Sequence, residues 1–115
     1  MAPGMDARAV VPEDLRRRSW SDRELILSYD DAVLAMDALA AHGVDEVAWE
    51  GLIGQPDGRY GGTPGGVIGT SDFFSWQECM DTMTDERGLW PDRLDEGETL
   101  LFCLSIRPAP GEGYR

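Results

Sequence analysis

Along positions 28 to 107 the apolar residues alternate between a helical period and a two-residue period, and each switch marks an element. Tyr29, Val33, Met36, Leu39 and Ala40 recur at helical spacing, which predicts a helix over Asp31–His42. Ser28 or Asp30 supplies its cap, and Asp31 suits the positive end of its dipole. Gly43 stops it. From Val44 to Ile53 the period falls to two: Val47, Trp49, Gly51 and Ile53 oppose Glu46, Ala48, Glu50 and Leu52, a strand with one apolar and one mixed face. Pro56-Asp57-Gly58 reads as a turn, because proline presets φ and glycine accepts a positive one. Val67-Ile68 is expected to form a short second strand after it. Thr70-Ser71-Asp72 then caps a second helix with Phe73, Trp76, Met80 and Met83 on its apolar face and Cys79 alongside. Gly88 and Pro91 end it. Over Glu98–Arg107, Leu100, Phe102, Leu104 and Ile106 alternate with Thr99, Leu101, Cys103 and Ser105. That is the pattern of an internal strand touching apolar neighbours on both faces, and Pro108 and Pro110 stop it.

Helix, strand, hairpin, helix, strand predicts an α+β fold. We expect a single two-layer domain over residues 23–108, with two helices packed on a small, mostly antiparallel sheet of about three to four strands. Residues 1–22 are expected to be a mobile, partly ordered tail whose first dozen or so positions lack regular structure, and 109–115 a C-terminal tail. The 115 residues are enough for one domain with its own core.

Charge changes the picture more than composition does. The chain carries 22 acids against 10 arginines, for a net charge of −12, and has neither Lys nor Asn. That codon usage implies a very GC-rich coding genome. A basic face for phosphate neutralisation is missing, so direct nucleic-acid binding is disfavoured, and so is adsorption to an anionic membrane. No apolar run approaches the ~20 residues of a membrane span, and the N-terminus lacks the pattern of a secretory signal. Cys79 and Cys103 are isolated in apolar stretches without a CxxC spacing, which predicts reduced, at least largely buried thiols in a cytoplasmic protein. Arg16-Arg17-Arg18 stands in a tail of +1 beside a body of −13 and is expected to fold back on the protein's own acids.

Candidate chemistry is sparse. His42, the only histidine, falls where its imidazolium meets the negative end of a helix dipole, a structural position. Cys79 sits among acids, which raises a thiol pKa. The glycines at 61, 62, 65, 66 and 69 lack the GK[ST] and the strand–glycine–helix order of a phosphate loop. Asp72 with Asp81 or Asp85 is indistinguishable from a solvated helix face, so no metal or other cofactor is expected. What remains is a non-enzymatic binding protein whose acidic surface steers a basic partner. The candidate contact residues are Glu50, Asp57, Asp72, Glu78, Asp81 and Asp85, with Tyr60 and Trp90 as aromatic anchors.

The order of motifs adds a resemblance. A helix over Asp31–His42, then Val47-Ala48-Trp49-Glu50-Gly51, Pro56-Asp57-Gly58-Arg59, Gly69-Thr70 and Leu101-Phe102-Cys103-Leu104 resembles small immunity proteins of bacterial polymorphic toxin systems, of the immunity protein 40 type. The likeness covers roughly residues 28 to 106. It departs where a polar residue such as His would follow Gly61, since Gly62-Thr63-Pro64 stands there instead. The resemblance implies a cytoplasmic protein that binds and neutralises a cognate toxin domain. From charge we expect a basic toxin such as a nuclease. The alternative is an acidic DNA mimic or accessory inhibitor from a phage or defence locus.

Overall fold

Two strands organise the chain. β2 (Glu46–Gly54) and β5 (Thr99–Ile106) pair antiparallel over eight positions, from Val47 opposite Ile106 to Gly54 opposite Thr99. The structure, a computed structural model, describes residues 7–63, 68–70 and 72–106. β1 (Leu25–Ser28) lies antiparallel on the outer side of β5. On the free side of β2, three short segments follow one another: β3 (Tyr60–Gly62) against Leu52–Gly54, an isolated bridge from Gly69 to Glu50, and β4 (Phe74–Ser75) against Glu46 and Val47. The result is a five-stranded antiparallel sheet in an α+β fold, as the pattern predicts, with more strands than expected.

The helices supply the second layer. α3 (Tyr29–Ala41) packs on β1 and β5, and α4 (Trp76–Leu89) packs on β2 and against α3. Two short helices, α1 (Ala7–Val10) and α2 (Glu13–Arg18), lie against α3. Between the layers, Val47, Trp49 and Ile53 of β2 meet Leu100, Phe102, Leu104 and Ile106 of β5, with Leu25 and Leu27 of β1 beside them. The Trp49 and Phe102 rings are 5.2 Å apart, and Tyr29 meets Phe102 edge-on at 5.9 Å. From the helices come Ala32, Ala35, Met36 and Leu39 of α3, and Cys79 and Met83 of α4. The buried stripe of α3 is therefore rotated from the expected one. Val33 is half-buried and Ala40 exposed, because the small residues at 32 and 35 let the helix approach the sheet closely.

Four expectations need correction. The first dozen residues do not lack regular structure from position 7 onward: Ala7, Val11 and Leu15, spaced by four, are all buried in the core. Pro12 does not break this run, since its φ of −58° fits the entry to α2. Leu25–Ser28, outside the predicted elements, is a strand. The second hairpin strand is Tyr60–Gly62. Ile68 stands outside any strand, and Val67 lies outside the described residues. Finally, α4 begins four residues after Asp72, because Phe74–Ser75 is drawn into the sheet and Ser75 becomes the cap, its Oγ accepting the Glu78 N–H at 3.2 Å. It also runs through Gly88 to Leu89, ending at Trp90 and Pro91. The C-terminal tail, 109–115, lies outside the described residues.

Two predictions follow from the packing. Removing residues 1–12 deletes buried Ala7 and Val11, so it should cost about 2 kcal/mol and lower the melting midpoint by roughly 10 °C; an unchanged thermal scan would show that α1 is dispensable. Gly69 has φ +134° and lies so close to the Trp49 carbonyl that a Cβ would collide with backbone. Gly69→Ala should therefore destabilise by about 2–3 kcal/mol in a denaturant titration.

Candidate functional site

α4 is built to hold one face inward and one outward. Cys79 and Met83, one turn apart, are buried against β2, and the Cys79 thiol donates to the Val47 carbonyl at 2.9 Å. Trp76 reaches across to donate its indole N–H to the Met36 carbonyl of α3 at 2.8 Å. Thr82 accepts the Trp49 indole N–H at 2.9 Å, fixing the helix over the sheet. With that face anchored, Glu78, Asp81 and Asp85 point to solvent at i, i+3 and i+7. Asp81 accepts a hydrogen bond from Gln77 at 3.0 Å, and among the described residues no carboxylate of α4 is in an ion pair.

The acids continue past the helix. Between positions 72 and 98 there are nine acids and two arginines. Both arginines are engaged by aromatic rings, Arg87 over Tyr29 at 4.7 Å and Arg93 over Trp90 at 5.5 Å. Among the described residues no arginine pairs with the acids of α4, so the outer face of this helix is strongly negative.

The eight residues proposed from the sequence do not form one site. Glu78, Asp81 and Asp85 share the outer face of α4, and exposed Asp72 precedes it, its Oδ1 accepting the Phe73 N–H. Asp57 and Tyr60 belong instead to the β2–β3 hairpin. Asp57 is committed to its own turn: the Arg59 backbone N–H and then the Arg59 guanidinium hold its carboxyl below the usual range. Glu50 is exposed on the sheet face away from the helices, directly across from Cys103. Trp90 is not a surface anchor. It is only 5% exposed, packs in the core, and donates its indole N–H to Glu86 at 2.7 Å.

The far face of the sheet is covered only in part. Ile26 and Leu101 are fully buried there, and the Trp20 ring lies over Gly54 so closely that a Cβ would stand within 2.8 Å of it. Ser19 ties this segment to β1, accepting the Ile26 N–H at 3.0 Å, while the Trp20 N–H donates to the Ile26 carbonyl at 2.8 Å. Beside the Trp20 segment opens a cleft of about 740 Å³ into which Arg8, Arg16, Arg17 and Arg23 face, with Tyr60 on its wall. Folding of Arg16-Arg17-Arg18 onto the protein's own acids is met in part. That is so for Arg17 with Glu13 and Arg18 with Asp31. It is not so for Arg16, which donates to the Val11 and Arg8 carbonyls at 2.8 and 3.1 Å.

No protein-family model, curated protein or solved structure matches the chain. No helix of the described residues is long and apolar enough to cross a membrane.

Both cysteines are free thiols. Burial pushes Cys103 up to about 12, reinforced by the Glu24 carboxylate that accepts its S–H at 3.2 Å and by Glu50 across the strand. Burial likewise raises Cys79. At pH 8 the thiolate fraction of Cys103 should be ~1000-fold below that of an unfolded cysteine. Labelling with a disulfide reagent should be correspondingly slow in the native protein and fast in denaturant. Glu24→Gln should accelerate it at Cys103 alone. Rapid native labelling of both thiols would contradict the geometry.

Proposed function

We propose that the chain is a non-enzymatic binding protein that presents the outer face of α4 to a positively charged protein, most specifically as an immunity protein occupying the basic cleft of a toxin domain. The observation that carries this reading is the segregation on α4. One face is locked into the core, and the other bears Glu78, Asp81 and Asp85 with no arginine pairing them among the described residues. Unpaired like charges on one helix repel one another, at a cost of a few tenths of a kcal/mol per pair. A basic partner relieves that repulsion while the fixed helix supplies a rigid, preorganised surface. The order of motifs over residues 28–106, which resembles bacterial toxin-immunity proteins, supports the same reading, and with it a role in the cytoplasm of the cell it protects.

Capture on the immobilised protein from native lysate of the producing cell should retain a basic protein. Association of that partner should slow roughly tenfold as salt rises from about 0.05 to 0.3 M, because opposite charges steer the encounter within a screening length of ~8–10 Å. Asp81→Arg with Asp85→Arg should slow association by a similar factor while leaving dissociation and the melting midpoint nearly unchanged, since neither side chain touches the core. Association indifferent to both salt and these reversals would rule out the α4 face. Capture of a nucleic-acid enzyme with no linked toxin gene would favour the DNA-mimic alternative.

A further inference from the structure

At the end of the molecule where α4 stops, we propose that a pocket between the start of α3, the start of β5 and the turn after Trp90 receives one large apolar side chain of a partner protein, bordered on that partner by basic residues. The choice of bordering charge rests on the reading of a basic partner, and the apolar side chain rests on the pocket itself. The opening measures about 260 Å³. Sites for cofactors and small substrates run to ~300–1,000 Å³, so this one is sized for a single side chain.

Its walls are carbon because their polar ends are used elsewhere. Tyr29, Trp90, Pro91, Leu94 and Leu100 line it, with Trp90 and Leu100 only 5% and 7% exposed. The Tyr29 hydroxyl is hydrogen-bonded to Thr84 at 2.9 Å, and the Trp90 indole N–H donates to Glu86 at 2.7 Å. Neither Thr84 nor Glu86 lines the opening. Glu98 stands at the edge, but its two oxygens accept from the Asp95 N–H and the Gln55 side chain, both at 2.8 Å and both outside the pocket. Arg87 is laid over the Tyr29 ring at 4.7 Å and closes one side. The interior therefore offers ring and aliphatic carbon, which an apolar side chain matches and a polar ligand does not.

Charge at the mouth selects the neighbours of that side chain. Asp30 lines the opening and is exposed, and Asp92, Asp95 and Glu96 are exposed on the segment that carries Leu94. None of these four is in an ion pair among the described residues. Against them stand Arg87 and Arg93, each laid over a ring of this region. Four carboxylates to two guanidinium groups leave the surround negative. An apolar side chain bordered by lysine or arginine is drawn in, and one bordered by acids is repelled. An apolar recess within a charged rim is also the arrangement in which a single buried anchor contributes most to an interface.

Three capped tripeptides, titrated into the intact protein at about 50 mM salt and followed by amide and indole NMR shifts, test the proposal. Acetyl-Lys-Phe-Lys-amide should shift Tyr29, Trp90, Leu94 and Leu100 saturably, with Kd of about 1–10 mM. Acetyl-Lys-Ala-Lys-amide should bind at least about tenfold more weakly, having lost the apolar side chain. Acetyl-Glu-Phe-Glu-amide should bind roughly threefold or more weakly than the lysine peptide. Asp30→Arg should narrow or invert that charge preference, and because Asp30 is exposed the melting midpoint reports an intact fold. Absence of saturable shifts at the pocket, or equal binding of the Phe and Ala peptides, overturns the proposal. Equal binding of the lysine and glutamate peptides overturns the basic border. Neither Asp81 nor Asp85 lines the opening, so charge reversal there leaves these titrations unchanged, and the α4 reading and the pocket fail separately.

Discussion

The register of β2 against β5 is the constraint on which the rest of the molecule depends. It sets Trp49 opposite Leu104 and Gly51 opposite Phe102, so the two large rings meet on the helix side of the sheet. A slip of one residue would send Val47, Trp49 and Ile53 to the opposite face. Trp49 then determines what can lie around it. Its backbone N–H donates to Thr70 Oγ1 at 3.0 Å, its carbonyl accepts the Thr70 N–H, and its indole donates to Thr82 of α4. The bridge segment, through the backbone, and α4, through the indole, are thus both tied to one residue. Gly51, lacking a Cβ, leaves the space that the Ile68 side chain fills. The glycines of this region give up conformational restriction in the unfolded chain, and the close approach they permit is what returns the strand-to-helix connection to the core.

How legible this was depends on whether each element buries one face or two. β2 alternates cleanly because one of its faces is mixed, and β5 was recognisable from its length and its flanking prolines. The same logic hid β1. Leu25 and Leu27 face the helices while Ile26 is buried beneath the Trp20 segment, so the strand reads as three consecutive apolar residues running straight into a helix. Such a run carries no period to separate strand from helix. At the N-terminus a signal was present, in Ala7, Val11 and Leu15 at spacings of four, but Pro12 and the arginines between them read as a tail. The position of the α4 cap could not be read from Asp72 and Ser75, both good caps. It is decided by the pairing of Phe74 with Val47, a contact 27 positions away in sequence.

For the surfaces, legibility follows from whether a charge is local or assembled. Glu78, Asp81 and Asp85 are one helix face in any structure that makes 76–89 helical, and the sequence placed them together. Glu50, Asp57 and Tyr60 were grouped with them by nearness in sequence alone, and the topology separates them: Glu50 points off the far side of the sheet, Asp57 is held in its own turn by Arg59, and the hairpin carries Tyr60 to the arginine-lined cleft. The cleft was invisible because its four arginines come from three segments brought together by the ordering of α1 and α2 against α3. Trp90 misled for a related reason. A tryptophan at a helix end beside Pro91 is a boundary residue in sequence, but the turn over Pro91–Arg93 folds it inward, where Glu86 satisfies its N–H.

Charge is therefore segregated at two ranges, and the two ranges select differently. At distances beyond ~8–10 Å a partner feels chiefly the net charge of −12, which draws in basic proteins and turns polyanions away. Inside the cleft the nearest charges are the arginines and Asp22 that line it, and at contact distance their interaction outweighs the screened background, since the Coulomb energy at ~4 Å rises about fourfold as the effective dielectric falls from 80 to 20. A ligand small enough to enter experiences the second field without carrying much charge through the first. A long anion must bring many charges past the acidic body for the few that reach the arginines. The acidic composition is thus a size filter on the recess lined by Arg16 and Arg23, and this follows from the arrangement of charges whatever molecule fills either surface.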